Sequence, residues 1–352
     1  MTIDPWTLVR EDCERVCSEC HTGLEALGDS SVLITGGTGF MGSWIAEMVL
    51  CLNEAKRSAA KLYLLGRDRE RFERNLGHLA GSPNIEFIRC DVRNIIDIPK
   101  DVSFVIHAAG TPDNRIHATN PIETMVSIAE GTHAVLRAAD RASNLRMFVN
   151  VSSSSVYGAQ PLDLPRLSES HLGSVANSQI SASYAAAKRY GEALAHAARS
   201  EARMPVVIVR PFSFVGAYQP LDAPWAVNNF IQDALNARPI RILGDGQTVR
   251  SVMFGADMAI WMLTIMIRAK SGQVYNVGSD EAITVERAAE MVSRNFHPSP
   301  KVVLNASILG TIPNTRLVPD TTEAMKEFGL DRYSDVDISL HRAIEWYRAS
   351  RQ

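Results

Sequence analysis

The stretch Ser31 to Gly42, SVLITGGTGFMG, decides how the rest of the chain is read. Val32, Leu33 and Ile34 have the composition of a buried strand. Trp44, Ile45, Met48, Val49 and Leu52 recur at helical spacing after the glycines, so the stretch reads strand, glycine turn, helix. Gly36, Gly39 and Gly42 are spaced GxxGxxG. That spacing lets the backbone turn sharply, approach a pyrophosphate closely and pack the new helix against the strand, while the helix N-terminus offers N–H groups and partial positive charge to phosphates. A glycine triplet by itself fits an ordinary turn equally well. Its position between a strand and a helix, at the head of a chain that keeps alternating β and α, makes it a dinucleotide signature.

At 352 residues the chain is long enough for one large or two modest domains with a well-filled core. Its 46% hydrophobic and 21% charged content is that of a soluble globular protein, and a net charge of −3 offers no broad basic surface to nucleic acid. The opening MTIDPWTLVREDCERV is acidic and has no apolar centre, so it does not read as a signal peptide. Apolar runs such as Ala259 to Ile267 are too short to span a bilayer. A cytoplasmic protein without membrane attachment is the expectation. The five cysteines, Cys13, Cys17, Cys20, Cys51 and Cys90, are odd in number, which points to reduced thiols. Cys17 to His21 spells CxxCH, the pattern for haem attachment, and Cys13 adds a conceivable zinc ligand. Haem attachment requires export, and no second ligand cluster completes a zinc shell, so small buried thiols on an N-terminal helix are expected, with no metal.

Residues 1–28 read as a helical extension ahead of the fold. Leu62 to Leu65 is a second strand ending in Gly66, Arg67, Asp68, Arg69. An acidic residue at that tip would bind the ribose hydroxyls of NAD and repel a 2′-phosphate; Gly66 followed by Arg67 favours NADP instead. The alternative is a solvated helix start in which Asp68 turns back to hold the ribose of NAD. Ile85 to Ile88 and Val102 to Ile106 are further strands, the latter running into His107, Ala108, Ala109 and Gly110, small residues that let a cofactor lie against backbone. His107 reads as a packed or capping residue rather than a base. A helix from about Pro121 to Ala142 and a strand at Met147 to Val151 complete five strands separated by helices. The fold class is α/β, a Rossmann-type doubly wound parallel sheet, with ligands outside the carboxyl ends of its strands.

The fifth strand leads into Ser152, Ser153, Ser154, Ser155, Val156, Tyr157, Gly158, and 31 residues after Ser153 stands Tyr184 in YAAAK. Tyr184 and Lys188 are four apart and share a helix face. A phenol of pKa about 10 needs its phenolate stabilised by roughly 4 kcal/mol to act as a base near pH 7. Burial works against this, whereas a positive charge about 4 Å away at an effective dielectric near 20 supplies it. Lys188 is the candidate charge, and a serine at the strand tip can hold the same substrate hydroxyl. YxxxK alone is common by chance; the glycine turn and serine tip in the right order make it informative.

With these residues in place, the chain resembles the extended short-chain dehydrogenase/reductase family, the NAD(P)-dependent nucleotide-sugar epimerases, dehydratases and reductases. GGTGFMG, CDV at 90–92, HAAG at 107–110, SSSSVYG at 152–158, YAAAK at 184–188, RPFSFVG at 210–216, DGQTVRSVMF at 245–254 and YNVGS at 275–279 match family blocks in family order, over about residues 30–345. The resemblance implies a catalytic set of Ser153, Tyr184 and Lys188. It implies cofactor contacts from Gly36, Thr38, Gly39, Phe40, Met41, Gly42, Arg67, Asp91, Val92, Ala108, Ala109, Gly110 and Pro211 together with Tyr184 and Lys188, with Asp91 on the adenine amino group. For the substrate, a nucleotide-diphosphate sugar, it implies Ser154, Ser155, Ser213, Asn229 and Arg250, the guanidinium of Arg250 fitting phosphate oxygens.

Departures from the family pattern narrow the activity. Members that dehydrate carry TDEVY, with an Asp and a Glu as acid and base, and decarboxylating members keep the Glu; here Ser154 and Ser155 stand there. SSSSVYG is similar to the glucuronate and galactose epimerases. Ile128 falls where the family has an Asn, and Ser213 where it often has one. The segment between Glu169 and Tyr184, with Ser170, Ser174, Asn177 and Ser178, is long and polar enough for a lid over the sugar.

The expected reaction begins with Tyr184 taking a proton from a sugar hydroxyl, at C4, as hydride moves to nicotinamide. Return of hydride to the other face gives an epimerase; entry of a keto sugar with NADPH gives a reductase, through the same triad. The serine motif leans to the epimerase, and Gly66 with Arg67 leans to the reductase. A cofactor-binding protein without activity is the remaining alternative, disfavoured because the triad is intact. The expected domains are 1–28, the extension; 29–210 with about 240–280, the dinucleotide unit, including returning strands near Ile240 to Leu243 and Val274 to Val277; and 211–239 with 281–352, the sugar-binding unit. The resemblance also implies a homodimer through the helices at 121–142 and 184–200, with the alanine run from Ala185 to Ala198 at the contact. The alternative is that these alanines bury the helix against its own sheet.

Overall fold

A computed structural model of the chain describes residues 4–20, 23–174, 182–304 and 315–351. Seven short apolar runs form its sheet: β1 (Ser31–Thr35), β2 (Lys61–Gly66), β3 (Ile85–Arg89), β4 (Val102–His107), β5 (Met147–Val151), β6 (Val206–Pro211) and β7 (Val274–Val277). All pair in parallel, in the order β3-β2-β1-β4-β5-β6-β7. β1 and β5 are buried along their whole length, as strands covered on both faces must be, which is why they read as unbroken apolar runs. Val32 and Ile34 face one core; Leu33 faces the other. The order reverses between β1 and β4, opening a crevice at their carboxyl ends.

The helices divide between the two faces. α1 (Pro5–Glu19), α2 (Phe40–Glu54), α6 (Gly255–Arg268) and α8 (Val336–Ala349) fill one side; α3 (Pro121–Asp140) and α4 (Ala182–Glu201) cover the other. α5 (Ala226–Leu235) and α7 (Val285–Arg294) pack together over the carboxyl half. β6 is a strand that sequence patterning did not single out, although Val206 to Val209 has strand composition. The two returning strands separate: β7 joins the main sheet beside β6, but Ile240–Ile242 pairs with Val302–Leu304 outside it. The reason is packing, since buried Ile240 and Ile242 cover α5 and α7.

The N-terminal extension is part of this body. Asp4 caps α1, Pro5 occupies its first turn, and Leu8, Val9, Cys13, Val16 and Cys17 are buried against α2, α6 and α8. Arg342 of α8 donates to Asp12 at 2.7 Å and to the Leu8 carbonyl at 2.8 Å. Cys17 donates to the Met48 sulfur at 3.2 Å, and Cys13 and Cys20 lie fully buried. Among the described residues no three Cys, His, Asp or Glu side chains gather as metal ligands; His21 lies outside them. Nor is any described helix long and apolar enough to cross a membrane.

Candidate active site

A cleft of about 1870 Å³ opens at the carboxyl ends of the strands, and all but one of the expected site residues line it. The exception is Gly42. A Cβ on Gly42 would lie 2.5 Å from the Gly37 Cα, so this glycine lets α2 pack onto the turn and is a packing position instead of a wall of the cleft. Gly36 does face the cleft, with φ +69, and a Cβ there would come within 2.9 Å of the Ala108 carbonyl oxygen. Gly39 caps α2 without a side chain, leaving first-turn N–H groups available to a ligand. Close backbone, a glycine with no room for a Cβ and an uncapped helix start fit a pyrophosphate.

At the tip of β2, a Cβ on Gly66 would press on the Phe87 ring at 3.2 Å. Arg67 lines the cleft. Asp68 does not; its carboxylate caps the next short helix by accepting from the Arg71 N–H at 2.9 Å. Asp91 lines the cleft and is gripped by Arg93 at 2.9–3.0 Å, which holds its carboxyl down at about 2. His107 is buried between the hydroxyls of Thr35 at 2.8 Å and Thr132 at 3.1 Å, and burial lowers its pKa to about 3. It is the packed histidine expected.

Tyr184 and Lys188 sit on α4, Ser153 at the end of β5. The Ser153 oxygen accepts from the Ser155 N–H at 3.2 Å and the Ser155 hydroxyl at 3.0 Å, while Ser153 itself bonds the Tyr184 phenol. Burial raises the phenol's pKa and this bond pulls it back. The Lys188 ammonium lies 5.8 Å from the centre of the Tyr184 ring and donates to the Val151 carbonyl at 2.8 Å. Lys188 therefore sits beside the ring while its hydrogen bond goes to the backbone, and a phenolate formed there would face its ammonium without sharing a proton with it. Burial lowers the lysine's own pKa to about 8.

Three features of the site were not read from the sequence. The imidazole of His117 stacks on the Tyr184 ring at 4.1 Å and 9°, with its Nε2–H donating to the Thr111 carbonyl at 2.7 Å. The Ser152 hydroxyl lines the cleft, buried and without a hydrogen-bond partner among the described residues. Tyr218 also lines it, with φ +70; its hydroxyl donates to Glu47, and its ring stacks with Trp6 of α1 at 6.0 Å and 13°. The serine run could have pointed to Ser152; the other two depend on contacts between distant segments.

Of the residues expected to meet the substrate, Ser213, Asn229 of α5, Ser154, Ser155 and Arg250 all line the cleft. Arg250 donates to the Val249 carbonyl at 2.8 Å and the Thr315 hydroxyl at 2.7 Å, and burial lowers its pKa with no carboxylate among the described residues to offset it. Ile128 is buried and cannot replace the polar Asn of the family pattern. Of the polar segment before Tyr184, Asn177 and Ser178 lie outside the described residues.

A seven-stranded parallel sheet with a glycine turn at its switch point and Ser, Tyr and Lys converging beyond β5 defines a dinucleotide-dependent fold of the short-chain dehydrogenase/reductase class. A model described as the NAD dependent epimerase/dehydratase family matches residues 32–278, and the chain belongs to that family of enzymes. It is 29% identical over 304 residues to UDP-glucuronic acid decarboxylase 4 of Arabidopsis thaliana, covering 85% of this chain and spanning 64% of that protein's length. The UDP-glucuronic acid 4-epimerase of Bacillus cereus, solved with UDP-glucuronic acid and NAD, has the same fold, with a TM-score of 0.76 at 22% identity over 90% of this chain and 99% of that one. So does the UDP-glucose 4-epimerase of Thermotoga maritima solved with UDP-glucose, with a TM-score of 0.75 at 18% identity over 92% and 100%.

Proposed function

We propose that the protein is a nucleotide-sugar epimerase that oxidises and re-reduces one sugar carbon, at C4. The observation that carries this reading is which carboxylates the cleft lacks near Tyr184. Beyond β5, Ser154 and Ser155 stand where dehydrating members, by resemblance, hold an Asp and a Glu as acid and base, and where decarboxylating members keep the Glu. The carboxylates that line the cleft are otherwise engaged: Asp91 and Glu123 by Arg93, Asp113 by Arg115, Asp233 by Arg241. Asp222 sits on an exposed loop. Without a free acid-base pair among the described residues, elimination of water or loss of a carboxyl has no proton relay, whereas proton transfer at one hydroxyl needs only Tyr184.

NAD or NADP, when bound, supplies the hydride acceptor and donor and a pyridinium charge. Gly36, Ala108, Ala109 and Gly110 would hold it against backbone, with Lys188 and Pro211 at its reactive end. Tyr184 takes the proton from the sugar hydroxyl and returns it; Ser153 donates to the phenolate oxygen, and Lys188, fixed on the Val151 carbonyl, keeps a positive charge beside it. Arg250 is the contact for the diphosphate. Arg67 in the cleft, with Asp68 spent on a helix cap, favours NADP, although the Bacillus cereus epimerase was solved with NAD. That same preference supports the second reading, a reductase of nucleotide 4-keto sugars. We also propose a homodimer through α3 and α4, on which Ile122, Met125 and Tyr190 are exposed, while Ala185, Ala187 and Ala195 are buried within the protomer. The working compartment on this reading is the cytoplasm, where five thiols stay reduced.

Mass spectrometry of the cofactor retained by purified protein separates NAD from NADP. Incubation with nucleotide sugars and no added cofactor then separates the reactions: an epimerase turns over many times, while consumption of one reduced cofactor per product replaces the proposal with the reductase.

A further inference from the structure

The cations of the cleft are few, and nearly all are spent. Arg67 and Arg71 follow β2, at the adenosine end. Lys188 is committed to the Val151 carbonyl beside Tyr184. Arg115 gives Nε and one terminal nitrogen to Asp113 at 2.6–3.2 Å and the other to the Asp222 carbonyl at 3.0 Å. Arg241 forms a two-pronged pair with Asp233 at 2.9 and 3.2 Å. That leaves Arg250 as the cation in the substrate half, among the described residues, that no carboxylate neutralises. The undescribed stretches 175–181 and 305–314 contain no Lys, Arg or His, so neither adds one. The histidine in the cleft, His117, uses its Nε2–H on the Thr111 carbonyl and its face on Tyr184.

Around Ser153 the wall offers hydroxyls instead of charge. Ser152 is buried without a partner among the described residues, Ser154 is buried, and Ser155 turns toward Ser153. A hydroxyl both donates and accepts, so it matches a sugar hydroxyl in either sense. A carboxylate placed there would meet hydroxyls, while Lys188, the cation beside it, is held on the Val151 carbonyl and serves the phenolate; a charge paired this poorly out of water is costly. A nucleotide-diphosphate sugar already claims Arg250 for its phosphates.

We infer that the site selects nucleotide sugars whose sugar ring is uncharged, a hexose or N-acetylhexosamine, and discriminates against the corresponding uronates. This rests on the reading that the cleft takes a nucleotide sugar, and the feature that decides it is the shortage of an unspent cation for a sugar carboxylate, not the serine run, which resembles that of glucuronate epimerases.

The test is isothermal titration of the purified, cofactor-containing protein with matched pairs, UDP-glucose against UDP-glucuronate and dTDP-glucose against dTDP-glucuronate. The expected result is a Kd at least about tenfold lower for the neutral member of a pair. Equal or tighter binding of the uronate overturns the inference, as does failure of every sugar to bind. In Arg250→Gln both members of a pair lose affinity by the same factor, because the guanidinium serves the diphosphate they share; a loss confined to the uronate overturns the assignment. Epimerisation is followed separately by NMR of the bound neutral sugar. An unchanged sugar would sink the epimerase reading while leaving the binding preference standing.

Discussion

The two walls of the cleft are made of different materials. On the cofactor wall the shape comes from backbone: Gly36 leaves no space for a Cβ against Ala108, and Thr35, His107 and Thr132 form a buried chain of hydrogen bonds behind it. On the substrate wall it comes from side chains carried by two-residue strands, Phe214–Val215 with Met253–Phe254 and Val249–Arg250 with Ile283–Thr284 and Arg316–Leu317. A backbone wall excludes by contact distance and tolerates almost no substitution. A wall of side chains selects by charge and hydrogen bonding, and can be altered one residue at a time.

The largest expected effect lies where the walls meet. Tyr184→Phe should lower kcat by on the order of 10³-fold with retained cofactor unchanged, read by steady-state rates and absorbance. Undiminished turnover would end the proposed chemistry, and loss of cofactor would mean that the two walls are not separable. Next, Gly36→Val should abolish cofactor retention and lower stability by about 1–3 kcal/mol, since it forces a β-branched residue into left-handed backbone beside a carbonyl. A retained cofactor would show that the backbone wall yields.

On the other wall, Arg250→Gln should raise KM by roughly 10- to 100-fold, the loss of a charged hydrogen bond, with kcat nearly kept. A fall confined to kcat would move Arg250 into the chemistry. At neutral pH the smallest effect concerns His107, because its contribution changes only in acid. Its pKa is near 3 folded, against about 6.5 unfolded, so the unfolded chain binds the extra proton between those values. Stability is full above pH 6.5 and falls as pH drops toward 3. His107→Gln should flatten that fall in urea denaturation measured across this range; an unaltered slope would remove the buried histidine as its cause.

What was legible in the chain was what is local. The glycine turn, six of the seven strands and the four-residue spacing of Tyr184 and Lys188 each lie within one short window, and periodicity or composition reveals them. Partnerships between distant segments were not. Nothing in the sequence around His117 says that its ring will lie on Tyr184, 67 positions further along the chain. Ile240 and Ile242 have strand composition that suits either sheet; only the position of α5 and α7 decides which. Asp91, expected on adenine, lines the cleft, and its grip by Arg93 is a contact two residues apart that depends on the turn after β3, which periodicity does not reveal. Gly42 matched a cofactor motif but serves the packing of a helix, because the same small residue meets either demand.

Tyr218 joins the chain's beginning to the cleft. Its backbone adopts a conformation costing on the order of 1 kcal/mol or more, held by Glu47 and by the indole of Trp6, which also lies on the His78 ring at 4.0 Å. The stretch that matches the family model begins at residue 32, yet the aromatic pile supporting this tyrosine starts 26 residues earlier. A version trimmed to the homologous core would keep its dinucleotide cradle and lose the buttress behind the opposite bank. Where the family model begins is therefore not where this protein's working parts begin.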